Sequence, residues 1–228
     1  MSTTVSKTSV PVAKIRPIPL HAGDHLSASE FLRRYRAAGQ NVEAELVNGV
    51  VYIMLPAHFE AHGKPDSIMG MWLAHYAAFT SSIEHASGSS VKLSRIDVPQ
   101  PDSLIFVKPE AGGGCRITKD DYLEGAPEFV AEVSATSASY DCREKLEAYL
   151  RAGVREYLVW RTYDGEVDWF VLREDEYVRL EPNSNGVLRS PFLPGLWLKT
   201  NALLTHDRRG VLQTLDEGIR SREADPRS

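Results

Sequence analysis

The chain has 228 residues, 43% of them hydrophobic and 25% charged, with a formal net charge of −5. That composition suits one globular domain with a sizeable core and excludes a protein coated in basic charge, so binding to nucleic acid would need a locally basic groove. Two cysteines, Cys115 and Cys142, exclude a disulfide framework and offer no zinc-ligand spacing, and no apolar run approaches the ~20 residues of a membrane span.

The opening stretch "MSTTVSKTSVPVAKIRPIPL" lacks the apolar block of a signal peptide. Residues 1–20 are expected to be a flexible arm of a cytoplasmic protein without membrane contact, 21–219 a single domain, and 220–228 a frayed tail. "LSASEFLRRYRAAGQ" starts with Ser27 three residues before Glu30, the spacing of a capping box. Phe31, Leu32 and Tyr35 give it a helical stripe, and Gly39 ends it. In "NVEAELVNGVVYIML", Asn48-Gly49 between two apolar runs predicts a hairpin, with Glu45 on its first strand on the same face as Val47.

From Phe59 to Phe79 the pattern is helical, with Met69, Trp72, Leu73 and Tyr76 at helical spacing and Pro65 near the first turn. Strands are expected in "VKLSRIDV" and "SLIFVKP", a flexible loop at "AGGGC", and a strand in "PEFVAEVSA". A helix from Tyr140 to Ala152 follows, its stripe formed by Cys142, Leu146, Tyr149 and Leu150 and its stop by Gly153. "REYLVWR", "EVDWFVL", "EYVRLEP" and "GVLRS" read as strands around Asp164-Gly165 and Asn185-Gly186 turns, and a last helix begins near Thr200. The sum is an α/β fold with a central mixed sheet flanked by helices.

The chemistry concentrates in three acids on or beside strands. Glu132 sits in the apolar run Phe129–Val133, Asp102 precedes Leu104-Ile105-Phe106-Val107, and Glu45 lies in the hairpin. A carboxylate in an apolar strand is costly unless something positive meets it, and two carboxylates brought together raise each other's pKa. A divalent cation removes both problems, and oxygen ligands suit magnesium or manganese. Any one of these acids alone is better explained as a strand cap or an arginine partner; the three together beside Lys145 favour function. Lys145 lies about 80° from the centre of its helix stripe at ~100° per residue, with Asp141 four residues earlier. Without further context that pair reads as a solvated surface contact.

The context is a resemblance. "PDSLIFV" and "PEFVAEVSATSASYDCREKLEAYLRAGVREYLVW" resemble the Uma-two family of restriction endonucleases, within the PD-(D/E)XK nuclease superfamily. "ELVNGVVYIM" is similar to the family's early segment, and "EVDWFVL", "GVLRS" and "PGLWL" to its later part. The likeness runs from about Ser27 to Ile219. It implies a restriction-endonuclease-like fold in which Asp102, Glu132 and the Val133 carbonyl ligate magnesium or manganese. Lys145 would activate water, and Glu45 would bind a second ion or hold that water. The superfamily's lysine normally stands two residues after the acid, where this chain has Ser134; Lys145 on the next helix takes its place.

The implied activity is metal-dependent hydrolysis of DNA phosphodiesters, with a homodimer supplying two sites for a duplex. The alternative is a nuclease-fold protein that has lost catalysis and serves as a binding or assembly module; hydrolysis of another phosphoester is a weaker third reading. "KPD" at 64–66 lies in a helix and is discounted. His58, His62 and Asp66 fall on one ridge, which Pro65 makes doubtful as a metal site, although the resemblance puts His62 beside the pocket. "AGGGC" lacks the spacing and lysine of a P-loop, so no nucleotide cofactor is expected. Ser134, Thr136 and Ser137 have no histidine or GxSxG context and are read as helix-entry hydrogen bonders. Trp160, Trp169 and Trp197 are expected in the core or an interface.

Overall fold

The computed structural model describes residues 18–39 and 42–223. The expected arm and tail lie mostly outside these residues. Inside them, Leu20 is buried and the last helix continues to Glu223.

Helix α1 (Ala28–Ala38) is capped at Ser27, whose Oγ accepts from the Glu30 amide at 3.4 Å. Glu30 does not reach back to complete the capping box, because Arg33 and Arg34 each bind it at 2.7 Å. Strands β1 (Ala44–Val47) and β2 (Val50–Ile53) form the expected hairpin, with Asn48 and Gly49 both at positive φ, as its tight turn requires. A wide π-helical turn, Phe59–Gly63, leads into α2 (Lys64–Ala78). Strand β3 (Ile83–Ser87) was not legible in "IEHAS", a polar edge strand with one buried residue, Ile83.

Only Val91–Lys92 of "VKLSRIDV" is a strand (β4). The rest turns because the Leu93 and Ser94 amides donate to the Asp97 carbonyl, while the Asp97 carboxylate accepts from Ser94 Oγ. Strands β5 (Ser103–Val107), β6 (Arg116–Ile117) and β7 (Leu123–Glu124) follow. "AGGGC" is no loose connection: a Cβ on Gly113 would lie 1.7 Å from the Val107 carbonyl oxygen, and Cys115 is buried.

Strand β8 (Phe129–Ser134) runs into a helix made of α3 (Ala138–Tyr140), a π-helical turn at Asp141–Lys145, and α4 (Leu146–Ala152). Gly153 ends it at φ 81°. Then come β9 (Glu156–Arg161), β10 (Glu166–Arg173), β11 (Glu176–Arg179), β12 (Val187–Arg189), β13 (Trp197–Lys199), α5 (Thr200–Leu204) and α6 (Arg208–Glu223).

The main sheet has the order β11-β10-β9-β8-β5-β3; β8 and β9 are parallel and the other pairs antiparallel. It is therefore mixed, as expected. Apolar clusters cover both faces. Trp72 and Met69 of α2 and Val211 and Leu215 of α6 pack on Phe129, Ala131, Val133 and Trp169; Tyr149 of α4 packs on Val130, Tyr157 and Val159. A smaller cluster joins α1 to the β1–β2 hairpin. Every residue of β8 is buried because the strand is central and covered on both sides. Trp160 and Trp169 are in the core as expected, whereas Trp197 is half-buried under the Arg189 guanidinium, 3.8 Å from its ring. Among the described residues no helix is long and apolar enough to cross a membrane.

Gly153 adopts a left-handed conformation, and a Cβ placed there would meet nothing within 4 Å. Gly153→Ala should therefore cost only backbone strain, about 1–2 kcal/mol, read as a lower urea midpoint with unchanged slope.

Candidate active site

Tertiary structure brings Glu45, Asp102, Glu132 and Lys145 into one neighbourhood. Glu132 is the fourth residue of β8 and points to the α4 face, alternating with Ala131 and Val133 on the α2 face. Asp102 stands one step beyond the pairing of Ser103 with Ala131 that ends the β5–β8 ladder, which sets it opposite Glu132. Its Oδ2 accepts from the Val133 amide at 2.7 Å. Glu45 arrives on β1, because Leu46 and Val98 exchange backbone hydrogen bonds and the Gln100 amide donates to Glu45 Oε2 at 3.0 Å. One short segment, Val98 to Asp102, thus aligns two of the acids.

Lys145 closes the cluster. Its Nζ lies 3.0 Å from Glu132 Oε1, 3.2 Å from Glu45 Oε2 and 3.6 Å from Asp141 Oδ1. It is 2% exposed, Glu132 3% and Glu45 fully buried, so the solvated Asp–Lys pair that local sequence suggested is replaced by a buried network. The wide turn Asp141–Lys145 ends the helix start with Lys145 aimed inward. Tyr149, read as a simple stripe residue, donates its hydroxyl to Glu132 Oε1 at 2.8 Å. Asp141 is held by Ser134 Oγ at 2.5 Å and Ser137 Oγ at 2.6 Å. Ser134 and Ser137 thus do hydrogen-bond at the helix entry, but to the Asp141 side chain rather than to a backbone amide.

The electrostatics follow from this packing. Burial raises the Glu132 pKa well above the usual carboxylate range; Asp102, Asp141 and Glu45 add to it, and Lys145 opposes it. For Lys145, burial favours the neutral amine, but Glu132, Glu45 and Asp141 outweigh it and hold an ammonium. Glu45 Oε1 and the Tyr140 hydroxyl are buried and make no close hydrogen bond, but they face each other: burial first and then the Glu45 carboxylate raise the Tyr140 pKa. The Tyr140 ring packs against Tyr52 at a tilt of 38°, with centroids 4.3 Å apart, and its centroid lies 5.6 Å from Lys145 Nζ, covering this side of the cluster.

The accessible edge is elsewhere. The Asp102 side chain is 19% exposed and that of His62 27%. His62 Nδ1 lies 2.8 Å from the Val133 carbonyl oxygen, and Nε2 lies 3.4 Å from Asp102 Oδ1. Asp102 raises the His62 pKa to about 9 against the opposing effect of burial. Asp66, one turn along, is raised to about 6 by burial and by Asp102. Only part of the expected ridge exists: His58 is extended and precedes the π-helical turn, whereas His62 and Asp66 lie within the helical stretch, Pro65 fitting the first turn of α2.

A family model described as "Putative restriction endonuclease", Uma2, matches residues 28–201. The chain belongs to the Uma2 family. The crystal structure of a putative nuclease belonging to DUF820, from Anabaena variabilis, is similar in fold. Its TM-score is 0.59 at 15% identity, covering 79% of this chain and 98% of that one. At that identity the likeness speaks for the fold alone, which is restriction-endonuclease-like. A comparison with curated proteins gives no match. The Uma2 segment spans the hairpin, the residues leading into β5, strand β8 and the lysine helix, so all four expected site residues lie inside it.

These Uma2 residues fit a hard divalent ion in kind. Carboxylate charge exceeds the one buried ammonium, Glu45 keeps a buried oxygen without a close hydrogen bond, and Asp102 Oδ1 and the Val133 carbonyl open onto the same imidazole ring. They do not form a finished cage: among the described residues no group of three or more His, Cys, Asp or Glu side chains stands together at metal-binding separation. Lys145 holds Glu45 and Glu132, while Asp102 faces His62.

Lys145→Met leaves two buried carboxylates unmatched and should destabilise by about 3–5 kcal/mol; adding Glu132→Gln should recover part of the loss in urea denaturation. In the metal-free protein the His62 ring should titrate near pH 9 by NMR, and Asp102→Asn should move it back toward the ordinary histidine range. Because the folded value is raised, the stabilisation from this contact is complete below about pH 6.5 and lost as pH rises through about 9.

Proposed function

We propose that this chain is a DNA endonuclease that hydrolyses phosphodiester bonds with magnesium or manganese. The observation that supports this most directly is the buried Lys145 ammonium bound to Glu132 and Glu45 beside Asp102. A carboxylate cluster this dense is expensive in a fold that only needs a core.

In this reading Asp102, Glu132 and Glu45 would hold the ion, with the Val133 carbonyl next to them. Bound there, the ion supplies charge neutralisation at the phosphate and a water of lowered pKa. Lys145 remains an ammonium, so it orients the attacking water and offsets developing negative charge rather than accepting a proton. Tyr149 and Lys145 both bind Glu132 Oε1 and fix which oxygen remains for chemistry. The scissile phosphate enters from the Asp102–His62 edge, where the site is partly exposed. Cutting both strands of a duplex would use two copies of the chain.

A second reading, a nuclease-fold module that binds or assembles without cutting, is favoured by one observation: Lys145 already satisfies the carboxylates without a metal cage. A cleavage assay separates the two. Supercoiled plasmid with manganese should be nicked or linearised, Asp102→Ala should abolish cleavage, and Lys145→Ala should slow it by about 100-fold or more. Native protein that leaves plasmid and single strands intact, with manganese or magnesium, supports the inactive module instead.

A further inference from the structure

We propose that His62 is a nitrogen ligand to the divalent ion of this site, paired with Asp102, so that the centre is a mixed nitrogen–oxygen one. The inference rests on the metal-binding part of the reading above and adds a ligand from a different element, the π-helical turn Phe59–Gly63.

The geometry of the ring carries it. His62 Nδ1 lies 2.8 Å from the Val133 carbonyl oxygen, a good hydrogen-bond distance in which Nδ1–H donates. That bond orients the ring and turns Nε2 toward Asp102 Oδ1, 3.4 Å away. A charge-assisted hydrogen bond between these groups would be about 2.7–2.9 Å, so 3.4 Å is long for one. Two donor atoms at that separation can both reach one ion placed between them. Metal-bound histidines commonly donate their other ring nitrogen to a backbone carbonyl or carboxylate, which fixes tautomer and aim. Here that carbonyl belongs to Val133, directly after Glu132, so the ring is keyed to the strand that carries another acid of the site.

Two further features agree. Asp102 is fixed from behind, its Oδ2 accepting from the Val133 amide at 2.7 Å, which leaves Oδ1 as the oxygen facing His62. Asp66, one helical turn after His62, has a buried Oδ1 with no hydrogen-bond partner and is within electrostatic reach of both His62 and Asp102. An ion bound at Nε2 takes the place of a proton there, as metal binding to histidine does in general. The Val133 carbonyl, expected from the resemblance to be a ligand, then holds a ligand in position. An imidazole donor also changes selectivity: it favours later transition ions most and disfavours magnesium, the harder ion, more than manganese.

The test is electron paramagnetic resonance of the full chain titrated with manganese alone. Bound manganese in the native protein should show nitrogen coupling in its electron spin-echo modulation. His62→Gln should remove that coupling and weaken manganese binding by about tenfold or more, while magnesium affinity, read by competition, changes less. His62→Ala should behave the same way, and matching melting curves show that both variants fold. Manganese bound natively without nitrogen coupling overturns the proposal but leaves the metal reading intact. So does equal or tighter binding by the variants, which would make the ring a bystander or an obstruction. If the native chain binds no manganese at all, the metal reading falls and this inference with it.

Discussion

A single ammonium organises this molecule. Lys145 reaches across from the helix after β8 and binds carboxylates from two other elements, Glu132 on the central strand and Glu45 on the hairpin, while Asp141 approaches from its own helix. Remove that charge and two carboxylates are left in an interior where a lone ion costs several kcal/mol. The wide helical turn, the serines around Asp141 and the Tyr149 hydroxyl all serve to aim Lys145 or share its load. The hairpin is tied to the main sheet through the same point, since Glu45 also accepts from the backbone at Gln100.

A second buried acid shows what such a cluster does not need. Glu156, on the neighbouring strand β9, is fully buried, yet it is satisfied by neutral donors: the Trp169 indole at 2.7 Å, the Phe192 amide at 3.1 Å and the Ser190 hydroxyl. A buried carboxylate can thus be kept for structure alone in this fold. At Glu132 the chain assembles excess acid around one cation and leaves an oxygen of Glu45 without a close hydrogen bond. That contrast sets the Glu132 cluster, built around a buried ammonium, apart from a single acid held by neutral donors. The site meets solvent where Asp102 faces His62.

Much of this was readable beforehand where the signal was local. The Asn48-Gly49 turn, the Gly153 stop, the Ser27 cap and the apolar run of β8 each rest on neighbours in sequence, and each stands where expected. The failures were also local in form but long-range in cause. "VKLSRIDV" carries strand composition and turns because the Asp97 side chain binds the turn and the Asn48 amide. The edge strand β3 is polar because only one of its residues needs to face the core.

The chain by itself determined the acids and the lysine as a set, through a spacing close enough to a nuclease family to name them, and it determined the α/β order of elements. Only the tertiary structure decided which groups face which. It buried Lys145 rather than leaving it solvated, drew in Tyr149 and Asp141, and put the His62 ring between Asp102 and the Val133 carbonyl. The reason is physical: composition and periodicity report which face a residue takes on its own element. The partner it meets there depends on how β1, β5, β8 and two helix turns close on one another, and no segment encodes that alone.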